Sequence, residues 1–234
     1  MKNPTPPKHY SSTLHQLCKL IRWHLTEKLA RSYGVDEKAR TFTPWSHVVS
    51  LLFAQLTHAI GLNDVCDTLR HHASKLRAIR GAVAPSRNGL SHANRKRNSD
   101  IMQALFWKVL GHLQELSPGF WPAGGATGRL PRRFKRGNHA IDSSTIALVA
   151  NCMDWAKHRH RKAAAKMHLR LNLQSFLPGF AVIEEASHHD DTRTLALRAG
   201  LQAGEIAVFE KAYVHFANLF HLSERGIFLS LIHI

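Results

Sequence analysis

HAIDSSTIAL, residues 139–148, sets one carboxylate, Asp142, in a run that is otherwise apolar, β-branched or hydroxylated. The run has the character of a buried strand, and an unpartnered charge leaving water there is costly. The ten residues before it, RLPRRFKRGN (129–138), are dense in cations and hold no acid. Asp142 therefore either sits at a strand end with a partner or holds a cation.

Further short strand-like runs follow, HLRLNLQSF, GFAVIEEAS, EIAVFEKA and GIFLSLI, with two helical stretches between them, DTRTLALRAGL and VHFANLFHLSERG. The order is β-β-β-α-β-α-β, a mixed α/β domain. Leu-Pro-Gly at 177–179 separates two β-rich runs and predicts a hairpin turn there. Upstream, the Pro- and Gly-rich basic stretch has no periodicity and predicts a linker over 121–137.

Residues 1–120 carry a different texture. SSTLHQLCKLIRWHLTEKLARSYG places Leu14, Leu17, Leu20, Ile21, Leu25 and Leu29 at three-and-four spacing, which predicts one helix from Ser12 or Thr13 to Gly34. TPWSHVVSLLFAQLTHAIG predicts a second, with Thr43 as N-cap and Pro44 in the first turn, where its missing N–H costs nothing. NDVCDTLRHHASKLRAI predicts a third with a basic face, LSHANRKRN a short charged one, and SDIMQALFWKVLGHLQEL a fifth with Ile101, Leu105, Val109 and Leu113 on one stripe. Trp45, Phe53 and Trp107 fall at helical spacing and are expected in the core. The expected organisation is a helical domain over 1–120, the linker, and a mixed-sheet domain over 138–234.

Among 234 residues, 32 Lys and Arg face 16 Asp and Glu, a formal net charge of +16. Charge on this scale speaks about partners and not about fold. No acid lies between Asp67 and Asp100, between Glu115 and Asp142, or between Asp154 and Glu184. Three separate acid-free basic blocks favour contact with nucleic acid over solubility alone. Arg95, Lys96, Arg97, Arg132, Arg133, Lys135 and Arg136 are the candidate contacts. No run reaches the roughly 18 apolar residues of a membrane span, so no membrane partner is expected. The N-terminus lacks an apolar signal region, and Cys18, Cys66 and Cys152 match neither a disulfide framework nor a zinc site. A reducing cytoplasm is the expected setting.

Asp142 on the first strand and Glu210 at the end of the fourth are the acids to weigh, because ligands bind at strand ends in α/β sheets. Brought together they would repel unless a cation lay between them, and Mg²⁺ prefers such hard oxygen ligands. The other reading is local: Asp142 caps a turn through Ser143 or Ser144, and Glu210 pairs with Lys211. Spacing alone leaves both open. His188, His189, Asp190 and Asp191 suggest a metal cluster but suit a turn and helix cap equally well.

Several segments in order, AIDSSTIALV to SHHDDTR (140–193) and GEIAVFEKAYVHFANLFHLSERGIF (204–228), resemble transposases of the insertion sequence 4 family. RTFTPWSHVVSLLFAQLTHAIGLNDVCDTLR (40–70) resembles the helical domain that precedes their catalytic domain. The resemblance implies a ribonuclease H-like catalytic domain of the DDE type, with Mg²⁺ or Mn²⁺ held by Asp, Asp and Glu. It also implies element-end and target DNA as partners, a homodimer on the DNA, and a nucleoid-associated bacterial protein. Asp142 matches the first acid. Glu210 stands where the family usually has Asp, a carboxylate displaced by about an ångström. Lys166 and His168 would stand near Asp142 and contact DNA phosphate. The third acid belongs on a helix beyond the next strand, and GIFLSLIHI departs from the family there. The expectation is an incomplete ribonuclease H-like domain, catalytically incompetent, from an interrupted gene. The alternatives are a non-catalytic DNA-binding fragment that competes with intact transposase, or a nuclease in which Asp190 or Asp191 replaces the missing acid.

Overall fold

The computed structural model describes residues 12–35, 41–59, 61–117, 136–148, 157–158, 162–185, 200–210 and 215–232. The chain divides into two units, Met1–Leu116 and Ser117–Ile234. The first is helical and the second is a mixed sheet with a helix. Among the described residues no single helix is long and apolar enough to cross a membrane.

Seven helices make the described part of the first unit: α1 Thr13–Leu20, α2 Leu25–Ser32, α3 Pro44–Thr57, α4 Leu62–His71, α5 Ala73–Arg77, α6 Arg87–Lys96 and α7 Asp100–Leu116. Hydroxyl caps start three of them. Ser12, Thr43 and Ser86 accept from the amides of His15 (3.2 Å), Ser46 (3.1 Å) and Gly89 (3.0 Å). Each cap is worth about 1 kcal/mol over alanine. The core gathers Cys18, Val49, Val65, Leu69, Leu76, Leu90 and Ile101. Each large aliphatic side chain buried here contributes roughly 1.5–3 kcal/mol. Trp45 joins them and donates its indole N–H to the Ile79 carbonyl (3.0 Å). Phe53 packs against the core, but Trp107 is only half-buried, edge-on to the exposed Phe106.

The single helix expected over 12–34 is two. α1 ends at Leu20 because Ile21 turns extended (φ −87°, ψ 121°) and returns its amide to the Cys18 carbonyl. That carbonyl also accepts from Arg80, whose guanidinium stacks 3.9 Å above the Trp45 ring. A residue some sixty positions away thus supplies the cap that divides the helix. The stretch 63–79 is likewise divided at His72 (φ −103°, ψ 27°) into α4 and α5.

In the second unit β1 (Asn138–Leu148), β2 (Lys157–His158), β3 (Lys162–Asn172), β4 (Pro178–Glu185), β5 (Ile206–Glu210) and β6 (Phe228–Ile232) form one sheet, with α8 (Phe216–Glu224) before β6. The order is β2-β3-β1-β5-β6, and β4 also pairs with β3. β3 runs antiparallel to β1 and β4, while β1, β5 and β6 are mutually parallel. One face packs Ile141, Leu201, Ala207, Phe209, Leu222 and Ile227 into a small core. The predicted helix at DTRTLALRAGL falls mostly on 186–199, outside the described residues.

The β3–β4 turn is not Leu-Pro-Gly but the five residues before Pro178. Asn172 Oδ1 accepts from the amides of Gln174 (2.9 Å) and Ser175 (3.1 Å), an Asx turn, and Phe176 takes positive φ. Pro178 then opens β4, a position where a strand tolerates a missing donor.

Candidate metal and nucleic-acid site

The hydroxyl-rich run that makes β1 also fixes its neighbours. Asn138, His139, Ala140 and Ile141 lie opposite Ile206, Ala207, Val208 and Phe209. The next residues along the two strands, one step beyond the last paired positions, are Asp142 and Glu210, and paired strands lie about 4.8 Å apart. Ile141 and Phe209 are buried. Strand alternation therefore turns the two acids onto the opposite face, where Asp142 is exposed and Glu210 half-buried. Asp142 Oδ1 accepts from the Ser143 amide (2.7 Å), so the local cap exists as well.

Two carboxylates so placed repel by roughly 1 kcal/mol even at water's dielectric constant, and a divalent cation reverses the sign. Mg²⁺ is commonly bound through one or two carboxylates, with water and phosphate oxygens completing its sphere. Asp142 and Glu210 fit one such ion. Among the described residues no three His, Cys, Asp or Glu side chains group as a metal cluster, so a second ion has no comparable donor set there. Asp190 and Asp191, with His188, His189 and Lys211, lie outside the described residues.

Lys166 and His168 are not beside Asp142. In the β1–β3 register Leu169 faces Asp142, whereas His168 and Lys166 face Ser143 and Thr145. A period of two puts them on the other face of the sheet. His168 is fully buried with Nε2 2.9 Å from Glu184 Oε1, so it reaches no phosphate. Lys166 is half-buried opposite Glu184. Lys166, His168, Arg170 and Asn172 form the inward stripe of β3, while Met167, Leu169 and Leu171 face out half-covered. The Arg170 guanidinium is buried against glycine backbone: it donates to the Gly179 carbonyl (3.3 Å). A Cβ at Gly179 would come 3.2 Å from its Nε, and one at Gly200 would come 3.4 Å from its Nη2. Burial pushes Arg170 below its ordinary value, and the nearby Glu205 carboxylate works against that. Glu205 in turn lies 3.3 Å from His139 Nε2 and accepts from the Gln202 amide (2.8 Å). This polar interior was absent from the sequence expectations, although alternating Lys-Met-His-Leu-Arg-Leu-Asn over 166–172 was its visible signal.

The basic candidates separate by what else they do. Arg95 and Lys96 stand exposed on the last turn of α6. Arg97 does not: its guanidinium donates to the Phe42 and Thr43 carbonyls and lies 5.2 Å from the Phe42 ring centroid. That ties the end of α6 to the start of α3. Arg136 is exposed, with its guanidinium 4.0 Å from the Phe228 ring centroid. Arg132, Arg133 and Lys135 lie outside the described residues.

Residues 9–79 match a family described as a domain of unknown function, DUF4372. No curated protein matches the chain. The matched segment covers α1 to α5 and stops short of α6 and of the paired acids.

α6 is held from one side. Leu90 and Ala93 are buried beneath it, and His47 Nε2 on α3 donates to Asn94 Oδ1 (2.8 Å). Its outward residues are Arg87, Asn88, His92, Arg95 and Lys96, with Ser91 half-buried between them.

Proposed function

We propose that this chain is a DNA-transposition protein of the DDE type. Its helical unit contacts DNA, and its second unit is a ribonuclease H-like domain in which Asp142 and Glu210 hold Mg²⁺ or Mn²⁺. The observation that carries the proposal is the parallel register of β1 and β5, whose last pair, Ile141 and Phe209, is followed on each strand by an acid, Asp142 and Glu210. Support comes from a mixed sheet in which the β1, β3, β4 run precedes parallel β5 and β6, and from the excess of positive charge. A domain like that at 9–79 is common at the N-terminus of transposase-like proteins.

An ion bound there supplies a polarised phosphate oxygen and an activated water. The chain's own part is to orient and to exclude. Asp142 and Glu210 present oxygens from two rigid strands, and the Ser143 amide fixes the Asp142 rotamer. The extra methylene of Glu210 shifts its carboxylate by about an ångström, an error that can cost on the order of a hundredfold in rate.

The donor set favours a second reading within the first: a DNA-binding protein that holds one ion and does not cut. Two-ion phosphodiester chemistry needs oxygens for both ions, and the two carboxylates found among the described residues serve one. The test is Mn²⁺ binding to the purified chain by titration calorimetry and electron paramagnetic resonance, with plasmid nicking in parallel. One ion per chain, lost in Asp142→Asn, with no robust nicking is the expected result. No ion bound with or without duplex would refute the metal assignment. Robust nicking abolished by Asp142→Asn would refute the incompetence.

A further inference from the structure

We infer that α6 is a base-reading helix, which enters the major groove of duplex DNA and gives the chain a preferred sequence. The inference rests on the DNA-binding reading above and adds the surface and the type of contact.

On a helix, residues spaced i, i+3, i+4 and i+7 share one face. Asn88, Ser91, His92 and Arg95 have that spacing, and their face is opposite the buried Leu90 and Ala93. Each carries hydrogen-bonding groups that a base edge can meet. Asn pairs two-fold with adenine, Arg two-fold with guanine, and Ser meets either. The flanks differ in kind: Arg87 at the first turn and Lys96 at the last are cations placed for phosphates. Phosphate contacts set register and base contacts set sequence, and α6 has both in that order. Ten residues span about 15 Å, and a groove about 12 Å wide admits one helix.

Charge and rigidity agree with this. α6 holds no acid. On the neighbouring α4, Asp64 accepts from the Gly61 amide (3.1 Å) and Asp67 pairs with Arg70 (3.2 Å), so both are engaged. The His47–Asn94 hydrogen bond and the Arg97 clamp fix the helix before any DNA arrives. A face fixed in advance spends little binding energy on ordering. A merely soluble face would be expected to mix both signs.

The experiment is selection from a randomised duplex pool with the full chain, then affinities on the selected site and on a scrambled duplex across a salt series. The chain should enrich one site. Asn88→Ala and Arg95→Ala should each lose about ten- to a hundredfold on that site and relax one base position. Asn88→Ala should leave the scrambled duplex unchanged. Lys96→Ala should weaken both duplexes alike and lower the salt slope by about one. All three variants should keep the wild-type melting midpoint. An enriched site bound equally well by Asn88→Ala and Arg95→Ala overturns the inference. Equal binding to every duplex also overturns it, while leaving DNA contact standing. No binding to any duplex at about 50 mM salt overturns both.

Discussion

Arg97→Ala should destabilise the first unit rather than merely weaken its hold on DNA. The guanidinium donates to the Phe42 carbonyl and, at 3.4 Å, to that of Thr43, and it faces the Phe42 ring at 5.2 Å. A hydrogen bond from a charged donor contributes about 1.5 kcal/mol at the lower end, the long second one about 0.5, and the ring contact about 0.5–1. The sum is about 2.5–3 kcal/mol, or a melting shift of roughly 10–20 °C for a unit of this size. Arg95→Ala removes the same charge two residues earlier from an exposed site and should cost under about 0.5 kcal/mol. Arg97→Lys keeps the charge without the fork and should recover less than half. Differential scanning calorimetry of the full chain separates the three. If Arg97→Ala melts within about 2 °C of wild type, the clamp is not structural and Arg97 returns to the DNA face.

Glu184→Ala takes the carboxylate from fully buried His168 and should lower the stability of the second unit by about 2–3 kcal/mol in urea melts, whereas Glu184→Gln keeps an oxygen acceptor and should cost less. Equal losses in the two variants would mean that packing, not the hydrogen bond, sets the cost. Burial pushes the Cys18 thiol from 9.0 up to about 11, against the opposing pull of Arg80. The folded chain keeps a proton that the unfolded chain releases above about pH 9. The contribution of Cys18 to stability should therefore be constant below pH 9 and be lost as pH rises towards about 11. In Cys18→Ala that part of the alkaline slope should vanish, and an unchanged slope would refute the assignment.

Local chemistry was legible in the sequence wherever one turn suffices to define it. Thr43-Pro44 announces the start of α3, and both sequence and structure make Thr43 the cap. The break after Leu20 was not legible, because its cause, Arg80, comes from another part of the chain. The β-branched run of 139–148 showed β1, and the resemblance pointed to Asp142 and Glu210. That the two acids follow one strand pair depends on a parallel register, which neither run encodes alone. Alternation in β3 was visible, but alternation names two faces without saying which is inward. Lys166 and His168 were expected beside Asp142, and buried Glu184 together with the glycines beside Arg170 put their stripe on the inner face. Tertiary partners likewise removed His168, held by Glu184, and Arg97, held by Phe42 and Thr43, from the set of DNA contacts.

Arg170, Gly179 and Gly200 are strangers in the chain and co-tenants of one space. Gly200 has φ +84°, so a side chain there is strained before any neighbour is considered, and Gly179 lies within contact of the guanidinium. Divergence at residues 170 and 179 is therefore not independent. A lineage that enlarges residue 179 needs the Arg170 guanidinium to give way by a few tenths of an ångström, while Gly200 is held by its own φ whatever stands at 170. Shuffling β3 from one relative into the sheet of another should go best where residues 170 and 179 are carried over together.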